Sequence, residues 1–325
     1  MCSLARIRQH DVQLDYYGKQ LASAGSDRRI KIFDVIEGGG RQQTAELTGH
    51  EGPVWQVAWA HPEFGNVLAS CSYDRQVFVW KEHSPQMWGL VHKYLGHEGS
   101  VNAVAFAPHE AGLRLACASS DENVSVLTHH GEGRWSAAMF KAHKTGVNSV
   151  AWAPCVAVPS GAADGSTSFA PLRLATGGCD NLVKLWTMGY APDGSEAWSE
   201  ACVLPALHTD WVRDVSWAPS LGGGGGGGGL MLASCAQDKR VAVWTEDGAT
   251  GGSGGGSGSG SGGWSAKVLE LGCVVWSVSW SASGAILAVA GGDNVVTLWK
   301  ENALGEWKQI GQLSEDAPPE AAHAS

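Results

Sequence analysis

Six times along this chain an Asp stands six residues before the residue that closes an alternating apolar stretch. The pairs are Asp27/Phe33, Asp74/Trp80, Asp121/Leu127, Asp180/Trp186, Asp238/Trp244 and Asp293/Trp299. One spacing held six times marks an internal repeat. Repeats of this length are single supersecondary units that cannot bury an apolar face alone and must stack. The clearest copy is GHEGPVWQVAWAHPEFGNVLASCSYDRQVFVW, Gly49 to Trp80. In VWQVAW, Val54, Gln56 and Ala58 fall on one face and Trp55, Val57 and Trp59 on the other, the period-two signal of a strand. Val77 and Val79 share a face in RQVFVW, and a short turn at Tyr73-Asp74-Arg75 joins those two strands. Each unit gives three strands. A fourth follows the closing residue, around Trp135, from Trp198 to Leu204, from Trp264 to Leu269 and from Trp307 to Leu313. Four strands per unit around a central channel predict the blades of an all-β propeller.

The recurring polar residues have a structural task in blades of the WD-repeat type. A loop His, a turn Asp, a hydroxyl four residues before that Asp and the closing Trp form one buried hydrogen-bond network. An unpaired member would cost about 1–3 kcal/mol. Complete sets stand in blade two (His50, Ser70, Asp74, Trp80), blade four (His143, Thr176, Asp180, Trp186) and blade five (His208, Ser234, Asp238, Trp244). Their recurrence argues against catalysis or metal binding, because an active site occurs once. Blade three reads as degraded, with Cys117 and Leu127 replacing hydroxyl and Trp. Blade six reads as degraded too, with Cys273 for the His and Val289 for the hydroxyl. Blade one lacks a loop His, since His10 aligns with Trp55 rather than with His50.

The net charge is −10, and no cluster of Lys and Arg offers a phosphate-binding face. Direct nucleic-acid or anionic-membrane binding is therefore not expected. The eight Cys contain no C-x-x-C pair and read as small buried side chains in a reducing compartment. No secretory signal and no apolar run of roughly 20 residues appears, so the expectation is a soluble cytosolic or nuclear protein. Gly222 to Gly229 and Gly248 to Gly263 read as flexible insertions into blade five, and Pro159 to Ser168 as a similar loop in blade four. The Gly octet is no phosphate loop, because no G-K-[ST] follows it. The domain reading is a propeller over 1–313 and a disordered acidic tail over 314–325.

Most propellers close by pairing the first strand of the chain with the last blade. Here the last blade has its own outer strand, and a strand near Leu4 to Ile7 would have no blade to complete. Six blades with degraded networks at both ends imply an open six-bladed ring with Gly-rich loop insertions; a closed ring is the competing geometry. An open ring exposes sheet faces and edges that can receive an incoming strand. The residues expected to meet such a partner are Val12, Leu14, Ile30 and Ile32 on blade one and Val278, Val295 and Thr297 on blade six.

Several strings go beyond a generic repeat. DYYGKQLASAGSDRRIKIFDV, GLRLACASSDENVSVLT, ATGGCDNLVKLW, HTDWVRDVSWAP and VVWSVSWSASGAILAVAGGDNVVTLWKEN, with the blade-two stretch above, resemble the Sec-thirteen family. The resemblance covers nearly the whole chain. It implies an open six-bladed propeller that serves as a scaffold subunit of the COPII outer coat, in ER-to-Golgi transport, and of the nuclear-pore Y-complex. It implies partners that each insert a blade: a Sec-thirty-one-type coat protein and a Y-complex helical nucleoporin. It further implies membership of the GATOR-two complex in some lineages. Membrane association would be indirect, on the cytoplasmic face of the endoplasmic reticulum and at the nuclear envelope. It implies no cofactor. The chain departs from the family in a shorter N-terminus.

A second reading is a peptide-binding WD-repeat adaptor, such as a ubiquitin-ligase substrate receptor, using Trp211 and Arg213 at the channel mouth. An enzyme is the weakest reading, because no G-x-S-x-G, H-E-x-x-H or nucleotide loop is present.

Overall fold

A computed structural model describes residues 8–36, 38–159, 167–219, 229–246 and 263–314. The Gly-rich insertions, the segment from Leu4 to Ile7 and the acidic tail lie almost wholly outside these residues. Six four-stranded antiparallel sheets form in chain order; five blades are built from four consecutive strands, and in blade four a short hairpin intervenes between the first strand and the second. The last blade ends on its own outer strand, Trp307–Ser314, and blade one begins at Gln9–Leu14. The segment expected as a plain loop in blade four is bounded by a short hairpin, Ala157–Pro159 against Thr167–Phe169.

The inner strands are Gln9–Leu14, Val54–Trp59, Val101–Phe106, Val147–Trp152, Val212–Trp217 and Val275–Trp280. Each pairs with its neighbour through a register shift near its first residues. The shift skips one residue per blade: His10, Trp55, Asn102, Asn148, Arg213 and Trp276. A bulge re-aims the residue it leaves unpaired, and these six side chains ring one mouth of the channel.

Both faces of a blade are apolar, and the register shows which face meets which neighbour. In the second and third strands of every blade, four positions share one face. They read Ala22, Ala24, Ile30, Ile32 in blade one and Ala69, Cys71, Val77, Val79 in blade two. They read Ala116, Ala118, Val124, Val126 in blade three and Ala233, Cys235, Val241, Val243 in blade five. Each set packs against the following blade. The opposite face carries the polar network and packs against the preceding blade. Five apolar clusters result, between blades one and two, two and three, three and four, four and five, and five and six.

The networks form where the sequence is complete. His50 Nε2 meets Ser70 Oγ at 2.9 Å, His50 Nδ1 meets Asp74 at 3.0 Å, and Trp80 Nε1 donates to Ser70 Oγ at 3.0 Å. Blade four repeats this with His143, Thr176, Asp180 and Trp186 at 2.7–2.9 Å. Blade five repeats it with His208, Ser234, Asp238 and Trp244 at 2.8–3.2 Å. Burial works to raise the Asp74 carboxyl, but donation from His50 and from the Glu51 N–H outweighs it and holds the group below its usual range.

Blade three corrects the sequence reading. His97 bonds Asp121 through Nδ1 at 2.8 Å and a hydroxyl through Nε2 at 2.8 Å, and that hydroxyl is Ser125. Ser125 lies directly across the strand pair from Cys117, so it fills the same space from the neighbouring strand. The Tyr94 ring stands edge-on to His97, with 5.6 Å between ring centroids. Blade six makes the same cross-strand substitution, with Thr297 opposite Val289 accepting from Trp299 Nε1 at 2.8 Å, but no His joins it. A cavity of about 180 Å³ lies where its His would sit, lined by Cys273, Val289, Asp293, Thr297 and Trp299.

A polar belt near the channel stitches the blades together. In four inner strands the residue before the central Val reaches the Val N–H of the next blade. Asp11 accepts from Val57 N at 3.0 Å, Gln56 from Val104 N at 2.8 Å, Ser149 from Val215 N at 3.2 Å and Asp214 from Val278 N at 3.0 Å. Three inner-strand tryptophans reach back. Trp59, Trp152 and Trp280 donate to the Gln13, Ala105 and Ser216 carbonyls of the preceding blade at 2.8–3.1 Å. Burial pushes the Asp11 carboxyl up from 3.8 to about 6 despite these donors, and raises Asp214 as well.

Two measurements check this account. Ser125→Ala strands the buried His97 Nε2 and should lower the unfolding free energy by about 1–3 kcal/mol in urea; an unchanged midpoint would remove Ser125 from the network. Asp11 ionises less readily in the fold than in the unfolded chain, which destabilises the fold once both forms are charged. Relative to Asp11→Asn, the wild-type chain should therefore lose stability as pH rises from about 4 to about 6, with an upper bound of ~3 kcal/mol. Urea midpoints of the two proteins at pH 4.5 and pH 7 read the difference, and a gap that does not change with pH would refute it.

Candidate functional site: the open edge between blades six and one

Inner strands pack in succession from blade one to blade six, and the inner strand of blade six makes no comparable contact with that of blade one. The ring is open. The outward face of blade six carries Ala288, Ala290, Val296 and Leu298, which stand directly opposite one another in pairs. These match Ala69, Cys71, Val77 and Val79, all fully buried in blade two, yet here each is only half-buried. Blade six thus presents the same apolar mould as its siblings, and among the described residues nothing is pressed into it. Ser277 and Ser279 share this face and are exposed.

Across the opening, Val12, Leu14, Leu21, Ser23, Lys31 and Phe33 share the outward face of blade one. Val12 is 49% exposed and Leu14 55%. Ser23 and Asp27 hold the hydroxyl and Asp positions of the network, but no His joins them; Lys31 pairs with Asp27 at 3.1 Å instead. His10 bonds Ser26 at 2.8 Å and sets its ring edge-on to Trp55.

The expected edge residues divide. Val12 and Leu14 face the opening. Ile30 and Ile32 do not: they are 1% and 0% exposed and pack between blades one and two. Val278 is buried against blade five. Thr297 lies opposite Val289 on that same side and accepts from Trp299 Nε1 at 2.8 Å. Val295 borders the blade-six cavity. Alternation identifies a strand but not which of two apolar faces meets the next blade, so the expected set missed Leu298 and Val296 by one position.

At the channel mouth the Arg213 guanidinium lies 5.0 Å from the Trp211 ring and 4.9 Å from the Trp276 ring. With its amide oxygen turned inward, Gln237 accepts from Arg213 Nε at 3.2 Å. Burial lowers the Arg213 pKa from its usual value. On the opposite mouth, His61 and His109 stack at 4.1 Å, and with Glu63 they bring ligand atoms within 4.8 Å of one another. These residues come from two blades, so sequence spacing could not show the grouping.

The family model for the WD domain, G-beta repeat, matches residues 41–81, 88–127, 135–187 and 267–300. A "Protein SEC13 homolog" of Drosophila melanogaster is 48% identical over 314 residues, covering 95% of this chain and 82% of that protein. The "Protein transport protein SEC13" of Yarrowia lipolytica is 46% identical over 311 residues, covering 94% and 96%. The corresponding protein of Aspergillus fumigatus is 45% identical over 315 residues, again 94% and 96%. The likeness runs through the end blades as well as the middle ones, and the chain belongs to the SEC13 family of WD-repeat propellers.

Proposed function

We propose that this protein is a non-catalytic scaffold subunit of membrane-coating assemblies, and that its open edge receives a β-blade donated by a rod-forming partner. The observation that carries the reading is the uncovered apolar face of blade six, identical in pattern to faces that are buried everywhere else in the ring. Burial at ~25 cal/mol per Å² on two faces at once would favour a tight complex even after ordering costs.

Relatives named for protein transport support a place in the COPII outer coat, on vesicles leaving the endoplasmic reticulum for the Golgi. There the donor would be a Sec-thirty-one-type coat protein. The same edge suits a helical nucleoporin of the nuclear-pore Y-complex and a blade donor within the GATOR-two complex. Membrane contact would run through these partners. In the adaptor reading Arg213 would serve a bound peptide, but it already has two indoles and Gln237 around it.

Leu14→Asp combined with Leu298→Asp places a charge on each side of the opening without touching the five inter-blade cores. The variant should keep its urea midpoint and lose the co-expressed Sec-thirty-one-type protein by about tenfold or more, since each desolvated carboxylate costs well over 1.4 kcal/mol. Full recovery of that partner by the folded variant, measured by affinity co-purification and mass spectrometry, would overturn the reading. Loss on Arg213→Ala instead would favour the adaptor.

A further inference from the structure

The belt near the channel stops at both sides of the opening, and its two loose ends differ in chemistry. Five inner strands share a four-residue reading frame around the belt: Gln56-Val57-Ala58-Trp59, Ala103-Val104-Ala105-Phe106, Ser149-Val150-Ala151-Trp152, Asp214-Val215-Ser216-Trp217 and Ser277-Val278-Ser279-Trp280. The first position faces the following blade, and wherever it is polar, as in Gln56, Ser149 and Asp214, it accepts from that blade's second-position N–H; Ala103 has no acceptor to offer. At the fourth position Trp59, Trp152 and Trp280 donate an indole N–H to the third-position carbonyl of the preceding blade, whereas Phe106 has no N–H and Trp217 Nε1 is buried without a partner.

Ser277 is the first position of blade six. It is the counterpart of Ser149, whose oxygen accepts from Val215 N at 3.2 Å while its proton goes to Asp214 at 2.8 Å. Ser277 also donates its proton to Asp214, at 2.8 Å, but backward to blade five where Ser149 reaches forward, and its oxygen accepts from no donor among the described residues. The carbonyl of Ser279 corresponds to those of Gln13, Ala105 and Ser216, which each accept an indole. On the other side, Val12 N bonds its own Asp11, at 2.8 Å, and no side chain of another blade among the described residues. Val215 N makes the same local bond to Asp214 at 2.9 Å and also takes Ser149 from the preceding blade. Val12 N therefore has the geometry of a site with one acceptor missing.

We propose that the opening reads the sequence of the blade it receives, through Ser277 Oγ, the Ser279 carbonyl and Val12 N–H. The inner strand of the incoming blade then carries, in order, a short polar acceptor such as Ser, Asp, Asn or Gln, an apolar residue, any residue, and Trp. Its apolar residue donates its N–H to Ser277, its Trp donates to the Ser279 carbonyl, and its acceptor side chain takes Val12 N–H. Apolar burial alone tolerates a strand displaced along its axis. A one-residue slip would swap its two faces, and a two-residue slip, which apolar burial would accept, is refused by the three polar contacts.

This inference rests on the blade-insertion reading, and one experiment separates the two. The full chain is co-expressed with the Sec-thirty-one-type coat protein, and affinity is measured by titration for wild type, Ser277→Ala, Ser277→Thr and Leu298→Asp. Ser277→Ala should weaken binding roughly 5- to 10-fold, by stranding one N–H of the partner. Ser277→Thr keeps an oxygen in place and should restore most of it. Urea midpoints of the free variants correct for any loss from the Asp214 contact. If Leu298→Asp abolishes binding and Ser277→Ala, at unchanged midpoint, binds as wild type does, the blade inserts but the belt does not read it. If neither variant weakens binding, insertion itself fails and the belt proposal falls with it. Cross-links from Ser277→Cys mapped onto a partner strand without an acceptor three residues before an aromatic residue would also refute the proposal.

Discussion

Everything in this molecule depends on apolar faces that need a neighbour. Each blade presents two, and five inter-blade cores satisfy ten of the twelve faces that six blades make. The remaining two look at each other across the opening. A blade's faces are not equivalent, and this sets how the ends differ. The network face turns toward the preceding blade, so the unmatched network face belongs to blade one. A buried His–Asp pair is stable where it is dry and fully bonded. Blade one has no preceding blade to keep it dry, and it keeps Ser23 and Asp27 without a His, with Lys31 on Asp27. The unmatched plain face belongs to blade six, and it is the ordinary Ala–Ala–Val–Leu mould.

The polar belt is the second stitch, and it works at higher electrostatic stake. Asp11 and Asp214 are carboxylates placed where water is scarce, each accepting from backbone N–H groups of a neighbouring blade. Burial raises both, and the donors recover only part of that cost. Their use is directional. A carboxylate that reaches a single N–H on the next inner strand fixes how far that strand has slid. The bulge beside each of them turns the adjacent residue out to the channel mouth, which is how Arg213 comes to lie between Trp211 and Trp276.

The sequence carries the architecture plainly, because the Asp-to-closing-residue spacing and period-two alternation are both local. The three complete networks and the outer strand that blade six supplies itself, Trp307–Ser314, could be read for the same reason. The misreadings have one physical root each. Ser125 was passed over because the network was sought at a fixed offset before the Asp, whereas space is filled across strands and a hydroxyl opposite Cys117 reaches the same imidazole. Ile30 and Ile32 were placed on the edge because a propeller blade is apolar on both sides, so alternation alone does not say which side is outermost. Blade handedness does, and it appears only when strands are assembled. The same ambiguity put Thr297 where Leu298 belongs.

The two stitches do different work at the opening. The outward face of blade six is made of aliphatic side chains, Ala288, Ala290, Val296 and Leu298, with no aromatic knob to key a partner in place. Such a face gives affinity that depends on area and little on identity, and many apolar strands would stick to it. Hydrogen-bonding groups behave differently. A donor left unpaired in a closed interface costs more than a made bond gains, so they penalise wrong strands more than they reward right ones. A protein whose edge must accept a blade and refuse loose strands needs that asymmetry. Its position is informative: the exposed hydroxyl of Ser277 and the half-satisfied N–H of Val12 lie at the inner end of the cleft, beside the channel, where an arriving blade would be most fully desolvated.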